Sequence, residues 1–219
     1  MTENLATDLY PAGTVFIVDD DESICEGLCN LFESVGLKAE RFGSAEEFIQ
    51  QWRQDAPGCL MLDARLPGMT GVEFQEKLLN SGIHIPIIFM TAHGDVPMVR
   101  KVMKAGAIEF LTKPFQKEEL IHAVEQAFTF DRARRREAET VDSIRARIDT
   151  LTEREREVMT QVTAGLLNKQ IAGDLNLSEI TIKLHRRRVM EKMRAGSLAE
   201  LVKMCERVNW PRTEASETS

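Results

Sequence analysis

Five side chains in this sequence can do phosphoryl chemistry if the fold brings them together: Asp19, Asp20, Asp63, Thr91 and Lys113. Three carboxylates at one point repel one another, and a hard divalent cation reverses that. Magnesium takes oxygen ligands, keeps several waters and polarises a phosphoryl group bound beside it. A carboxylate held there can attack phosphorus and become an aspartyl phosphate. A threonine hydroxyl and a lysine ammonium can hold the phosphoryl oxygens. A second set has the opposite sign: Lys183, Arg186, Arg187 and Arg188 fall within six residues. Such a density suits phosphate and base contacts in the major groove of DNA.

The acidic set stands at the ends of apolar runs. TVFIV (14–18) leads into Asp19, Asp20, Asp21 and Glu22, CLMLD (59–63) ends on Asp63, PIIFM (86–90) precedes Thr91, and IEFL (108–111) ends just before Lys113. Helical periodicity fills the gaps: 21–36, closing on Gly36; AEEFIQQW behind Ser44, with Glu47 completing a capping box; 71–79; 95–106, with Asp95 as cap; and again from Gln116. KAERF (38–42) supplies a fifth strand. Strands alternating with helices, three of them apolar throughout, predict a five-stranded parallel sheet covered on both faces, an α/β doubly wound domain. In such folds ligands bind at the carboxyl ends of the strands. That edge gathers the carboxylates, Thr91 and Lys113. Asp21 reads differently, as an acid favoured by the dipole of the helix that starts there. Arg65 and His93 each lie two residues past a site residue. They are close enough to influence attacking water, with surface exposure as the default.

Net charge is −7 overall but unevenly spread: residues 1–127 carry 10 Lys+Arg against 20 Asp+Glu, and residues 151–210 carry 11 against 8. An acidic front and a basic back predict two domains with different partners, the second binding a polyanion. No apolar run approaches the roughly 18 residues of a membrane span, and the first residues lack a secretion signal. Both point to a cytoplasmic protein. Cys25, Cys29, Cys59 and Cys205 show no metal-site spacing. They read as core packing, with a redox role for the first two as the alternative.

Residues 117–149 contain no Gly or Pro, and the apolar stripe thins after Phe130. The last helix of the first domain thus runs on into a linker over 128–150. Its cluster Arg132, Arg134, Arg135 and Arg136 reads as a solvated face, with a phosphate or partner contact as the alternative. From 151 the chain is helical with short loops. Thr152 and Glu155 form a capping box, helix 168–175 leads to a turn at Asn176-Leu177, Ser178 caps 179–193, and Ser197 starts a further helix. The tail 211–219 is polar and reads as disordered. Residues 168–193 have helix-turn-helix rhythm, with Ile182, Val189 and Met193 inward and the cations outward.

FIVDDDE, LMLDARLPGMTG, FMTAHGDVPM and EFLTKPF, in that order over residues 14 to about 127, resemble the receiver domain of response regulators. The resemblance implies a flavodoxin-like fold over 12–127, phosphorylation of Asp63, and Mg²⁺ bound by Asp20, Asp63, the supporting Asp19 and the Arg65 backbone carbonyl. It makes Thr91 the hydroxyl that follows the phosphate, Phe110 the aromatic that moves inward, Lys113 the fixed cation, and Lys113-Pro114 a cis peptide. LTEREREVMTQVTAGLLNKQIAGDLNLSEITIKLHRRRVMEKM resembles the LuxR/FixJ-type DNA-binding domain, an all-α four-helix unit over 151–210. That implies base contacts from Lys183, Leu184 and Arg187, and phosphate contacts from Thr181, Arg186 and Arg188, with His185 beside them. KLHRRR is richer in arginine than many relatives, which leaves the operator sequence open. Together the two resemblances point to a two-component response regulator of the NarL/FixJ class. They imply a histidine kinase as phosphodonor, a double-stranded operator, RNA polymerase and homodimerisation on phosphorylation as partners, and no enzyme activity as the function. A magnesium-dependent phosphohydrolase is the rival reading, weakened because Arg65 stands where a second acid is needed. A constitutive DNA binder with an unused receiver is another, against which the intact acidic set speaks.

Overall fold

The computed structural model describes residues 13–53, 56–92 and 96–211. The chain divides into two compact units, one ending at Arg135 and one beginning at Arg136. The expected cap Asp95, His93, residue 12 and most of the 211–219 tail lie outside the described residues.

The first unit runs β1 (Thr14–Val18), α1 (Glu22–Ser34), β2 (Lys38–Phe42), α2 (Ala45–Gln51), β3 (Gly58–Asp63), β4 (Arg65–Leu66), β5 (Met69–Thr70), α3 (Gly71–Asn80), β6 (Ile87–Thr91), α4 (Val96–Lys104), β7 (Glu109–Thr112) and the start of α5 (Lys117–Asp149). Five strands form one parallel sheet in the order β2-β1-β3-β6-β7, the expected flavodoxin-like arrangement, with its change of direction between β1 and β3. Strand alternation sorts the core into two layers. Phe16, Val18, Leu60, Leu62 and Phe89 face α2, α3 and α4 through Phe48, Phe74, Leu78 and Val102. Val15, Ile17, Cys59, Met61, Ile88 and Met90 face α1 and α5 through Leu28, Phe32, Val124 and Phe128. The central strands β1, β3 and β6 are buried on both faces, which is why their sequences are apolar without alternation.

Three local details differ from the sequence reading. Asp21 is the N-cap of α1, not a first-turn acid: its carboxylate accepts from the Ser23 and Ile24 N–H groups. The bond from the Ser23 hydroxyl, then that from the Ile24 amide, holds this carboxyl below its usual range. A short antiparallel hairpin, β4–β5, follows β3, too short for any alternation to announce it. Thr70 and Glu73 then form a capping box at the head of α3. The cysteines behave as packing. Cys25, Cys59 and Cys205 are buried and none is paired in a disulfide. Burial pushes the Cys25 thiol up to about 11, far from the range of a reactive thiolate.

The second unit comprises the end of α5, then α6 (Glu153–Thr163), α7 (Asn168–Asp174), α8 (Glu179–Met193) and α9 (Leu198–Arg207). Its core joins Ile144, Ile148 and Leu151 to Val158, Met159, Ile171, Ile182, Val189, Met193 and Leu201. The capping boxes and caps read from Thr152, Ser178 and Ser197 are all made. Of the expected linker 128–150, residues 128–149 belong to α5 and residue 150 is in the turn that follows; Phe128 packs in the first core, and Ile144 and Ile148 pack in the second. No helix among the described residues is long and apolar enough to cross a membrane.

Candidate phosphoryl-transfer pocket and nucleic-acid interface

The pocket is assembled by strand ends. Asp19 follows β1, Asp63 closes β3, Thr91 closes β6 and Lys113 follows β7, so parallel pairing alone brings four distant segments to one edge. Asp19, Asp20 and Asp63 each offer a carboxylate oxygen within 4.8 Å of the others. Asp19 is buried, Asp63 half-buried and Asp20 exposed, which grades the pocket from a fixed floor to an open rim. Lys113 Nζ donates to Asp19 Oδ2 at 2.5 Å and to Asp63 Oδ2 at 2.7 Å. Its backbone N–H donates to the Thr91 carbonyl at 2.7 Å, which ties the lysine to the neighbouring strand end. The Lys113-Pro114 peptide is cis.

Burial pushes the Asp19 carboxyl up from its ordinary range, against the pull of Lys113 and of the Asp21 N–H. Burial alone would lower the Lys113 ammonium. The carboxylates of Asp19 and Asp63 outweigh it and hold the ammonium above its usual value. The lysine is thus a permanent cation that offsets part of the carboxylate repulsion.

Arg65 is exposed, and its backbone N–H donates to Asp63 Oδ1 at 3.0 Å. That leaves one Asp63 oxygen bound by an amide and the other by an ammonium. Thr91 is fully enclosed. Phe110, on β7, is half-buried against the layer that contains α3 and α4. Gly71, at the end of the LPGMTG stretch, is a further member of the site. A Cβ there would lie 2.8 Å from the Asp63 carbonyl oxygen and 2.8 Å from the Phe89 ring. Only glycine lets the head of α3 approach Asp63 this closely.

The basic set lies on α8. Lys183, Leu184, Arg187 and Arg188 are exposed. Arg187 Nε reaches Glu191 Oε1 at 2.8 Å, one turn on. Arg186, expected to project outward, is half-buried instead and donates to Asn168 Oδ1 at 2.7 Å. It therefore braces α8 against the head of α7. Thr181 is half-buried with its hydroxyl 2.8 Å from that of Ser178. His185 is half-buried with Nδ1 enclosed and without a hydrogen-bond partner.

Arg134 and Arg135 are not a solvated face. Both bind Asp131, a buried carboxylate, at 2.8 and 2.7 Å. Asp131 also accepts from the Gly58 N–H at 3.2 Å, and Arg135 donates to the Ala56 carbonyl at 2.5 Å. This network fastens α5 to the start of β3, at the opposite end of that strand from Asp63.

Comparison with known proteins identifies a family for each of the two parts of the chain. Residues 15–125 match the response regulator receiver domain, and residues 149–205 match the bacterial regulatory proteins of the luxR family. The chain is 47% identical over 212 residues to Nodulation protein W of Bradyrhizobium diazoefficiens, which covers 97% of this chain and 93% of that one. It is 44% identical over 191 residues to Transcriptional regulatory protein FixJ of Rhizobium meliloti, covering 87% and 94%. Among solved structures, the response regulator StyR superposes with a TM-score of 0.77 at 48% identity, covering 89% of this chain and 98% of that one. The phosphohydrolase alternative finds no support in these matches. The chain belongs to the two-component response regulators that join a receiver domain to a LuxR-type DNA-binding domain, and it is a phosphorylation-dependent transcriptional regulator, not an enzyme.

Proposed function

We propose that Asp63 is the phosphoacceptor, that a histidine kinase is its donor, and that the response is binding of α8 to a DNA operator. The observation that carries this is the bridging of Asp19 and Asp63 by Lys113 Nζ, an ammonium fixed beside the half-buried carboxylate between the buried Asp19 and the exposed Asp20. The donor set also fits magnesium: three carboxylates with oxygens within 4.8 Å of one another are hard ligands of the kind Mg²⁺ takes. Asp19, Asp20, Asp63 and the Arg65 backbone carbonyl would hold it. When bound, the ion supplies charge neutralisation and polarises the phosphoryl oxygens.

The chain's own residues do the rest. An Asp63 carboxylate oxygen attacks phosphorus as the bond from phosphorus to the donor's imidazole nitrogen breaks, and that nitrogen keeps the electron pair. Lys113 exchanges its bond to the Asp63 carboxylate for one to a phosphoryl oxygen. The Thr91 hydroxyl donates to another oxygen, and Phe110 follows it inward. An apolar shelf of Ile24, Gly27, Leu28, Pro114 and Phe115 borders Lys113 and suits a partner helix delivering the phosphohistidine. The phosphoryl adds about −1.5 to −2 charge, and the face made by α4 and β7 carries the change to a homodimer contact. Receiver function occupies 12–127 and operator binding 151–210, joined through 128–150.

On DNA, Lys183, Leu184 and Arg187 read bases. Thr181, Arg186 and Arg188 meet phosphates beside His185, and Arg186 also sets the angle of α8 through Asn168. RNA polymerase is the final partner, in the cytoplasm. The test is mass spectrometry after incubation with Mg²⁺ and acetyl phosphate. One phosphoryl increment on the wild type and none on Asp63→Asn is expected, and an equal increment on Asp63→Asn would overturn the assignment.

A further inference from the structure

Ile180 stands out on α8. It is 80% exposed, the most exposed of the large apolar side chains among the described residues, and it contributes nothing to the core of its unit. Each residue turns an α-helix by about 100°. Measured from Ile180, Leu184 and Arg187 then fall within about 40° on either side, while Ile182, Val189 and Met193 point the opposite way. Those three are the buried residues of the helix. Ile180 is therefore at the centre of the outward face, one turn before Leu184, which is 47% exposed. Lys183 and Arg187 lie on one side of the pair and Arg188, also exposed, on the other.

Single exposed apolar residues are common and need no explanation. This one differs in its setting. The two apolar side chains form a stripe rimmed by cations, and such a rim suits neither a membrane interior nor an apolar protein groove. It does suit the floor of a major groove between two phosphate backbones. Recognition helices present their N-terminal residues to the base edges, and Ile180 is the second residue of α8, behind the Ser178 cap. That cap is closed: the Thr181 N–H donates to Ser178 Oγ at 3.1 Å, so the first turn is held in place. An isoleucine cannot hydrogen-bond a base. The base-edge feature it can recognise is the 5-methyl group of thymine.

We infer that Ile180 is a specificity-determining residue that reads a thymine 5-methyl group in each operator half-site. The inference rests on the reading of α8 as the groove helix. Arg187 and Lys183 supply affinity to any sequence or to guanine, and Ile180 adds preference for thymine without adding charge.

The test uses the full-length chain and a duplex selected by it from a randomised pool. Each thymine of that duplex is replaced in turn by deoxyuridine, which removes the methyl and leaves every hydrogen bond. At one thymine per half-site, the replacement should weaken the wild type by about fourfold, the factor one buried methyl-sized group is worth. The same replacement should leave Ile180→Ala unchanged, and Ile180→Val should keep part of the effect. Because Ile180 packs against no core residue, the alanine variant is expected to fold, and circular dichroism verifies that. If every thymine gives the same loss in wild type and Ile180→Ala, while Lys183→Ala still weakens binding, the inference about Ile180 fails and the groove reading stands. If Lys183→Ala also leaves affinity unchanged, α8 does not enter the groove and both fail.

Discussion

Gly71 lies directly against the backbone of Asp63: a Cβ at position 71 would sit 2.8 Å from the Asp63 carbonyl oxygen and 3.1 Å from the Ala64 Cα. Both neighbours are backbone, so neither can turn aside as a flexible side chain would. Gly71→Ala should displace the end of β3 and cost about 1–3 kcal/mol, the range for overpacking a tight site. The same shift moves the nucleophile away from Lys113. Thermal unfolding should show the loss of stability, and the rate of phosphoryl incorporation from acetyl phosphate should fall with it. An unchanged rate would separate Gly71 from the pocket.

Asp131 is a buried acid on a helix otherwise rich in exposed charge. It receives one buried backbone N–H and two guanidinium groups. Asp131→Ala leaves Gly58 N–H without that acceptor and two arginines without their counter-ion. The cost should be about 2–4 kcal/mol. Hydrogen exchange should localise it, with faster exchange at Gly58 and Cys59 than in β6.

Glu155 is the acid-sensitive point of the second unit. It is 3% exposed. Burial alone would raise its carboxyl, but the 2.6 Å bond from Lys192 and the Thr152 N–H outweigh that and hold it below its ordinary value of 4.5. A depressed folded value means that its contribution is complete above the ordinary value and is lost as pH falls through the lower one. Glu155→Gln should therefore cost roughly 1.5–3 kcal/mol at neutral pH and flatten the stability curve below about pH 4.5. Trp210, whose indole N–H donates to Thr160 at 3.0 Å, reports unfolding of this unit by fluorescence in a Trp52→Phe background.

Glu191 restrains the basic face. It engages Arg187 at 2.8 Å and lies on the same side of α8. Glu191→Gln releases the guanidinium and removes a negative charge from the surface that meets DNA. Operator affinity should rise by roughly two- to fivefold, the scale of an exposed ion pair, measured by fluorescence anisotropy at fixed salt. A loss of affinity would mean that Glu191 positions Arg187 for its base.

The acidic edge was legible because each of its members closes an apolar run, and parallel pairing leaves such ends no other meeting place. Helix caps at Ser44, Thr152 and Ser178 were legible for the same local reason: the capping residue and its N–H partner are three positions apart. What escaped depends on partners far along the chain. Asp131 finds Gly58 across 73 residues, and nothing local distinguishes Arg134 and Arg135 from Arg132 and Arg136, which stay exposed. Arg186 looked equivalent to Arg187 in sequence. It turns back because Asn168 lies on the side of α8 that packs on α7. Thr70 and Glu73 carry the same three-residue spacing of a capping box in their sequence.

Charge placed on Asp63 should control the basic face of α8, and operator affinity reports that control. With Mg²⁺ and acetyl phosphate, the wild type should bind its selected duplex about tenfold or more tightly than without the phosphodonor, within the usual range of coupling between sites. Asp63→Asn should bind weakly and equally under both conditions. Equal affinity of wild type and Asp63→Asn in the presence of the phosphodonor would mean that Asp63 does not control DNA binding.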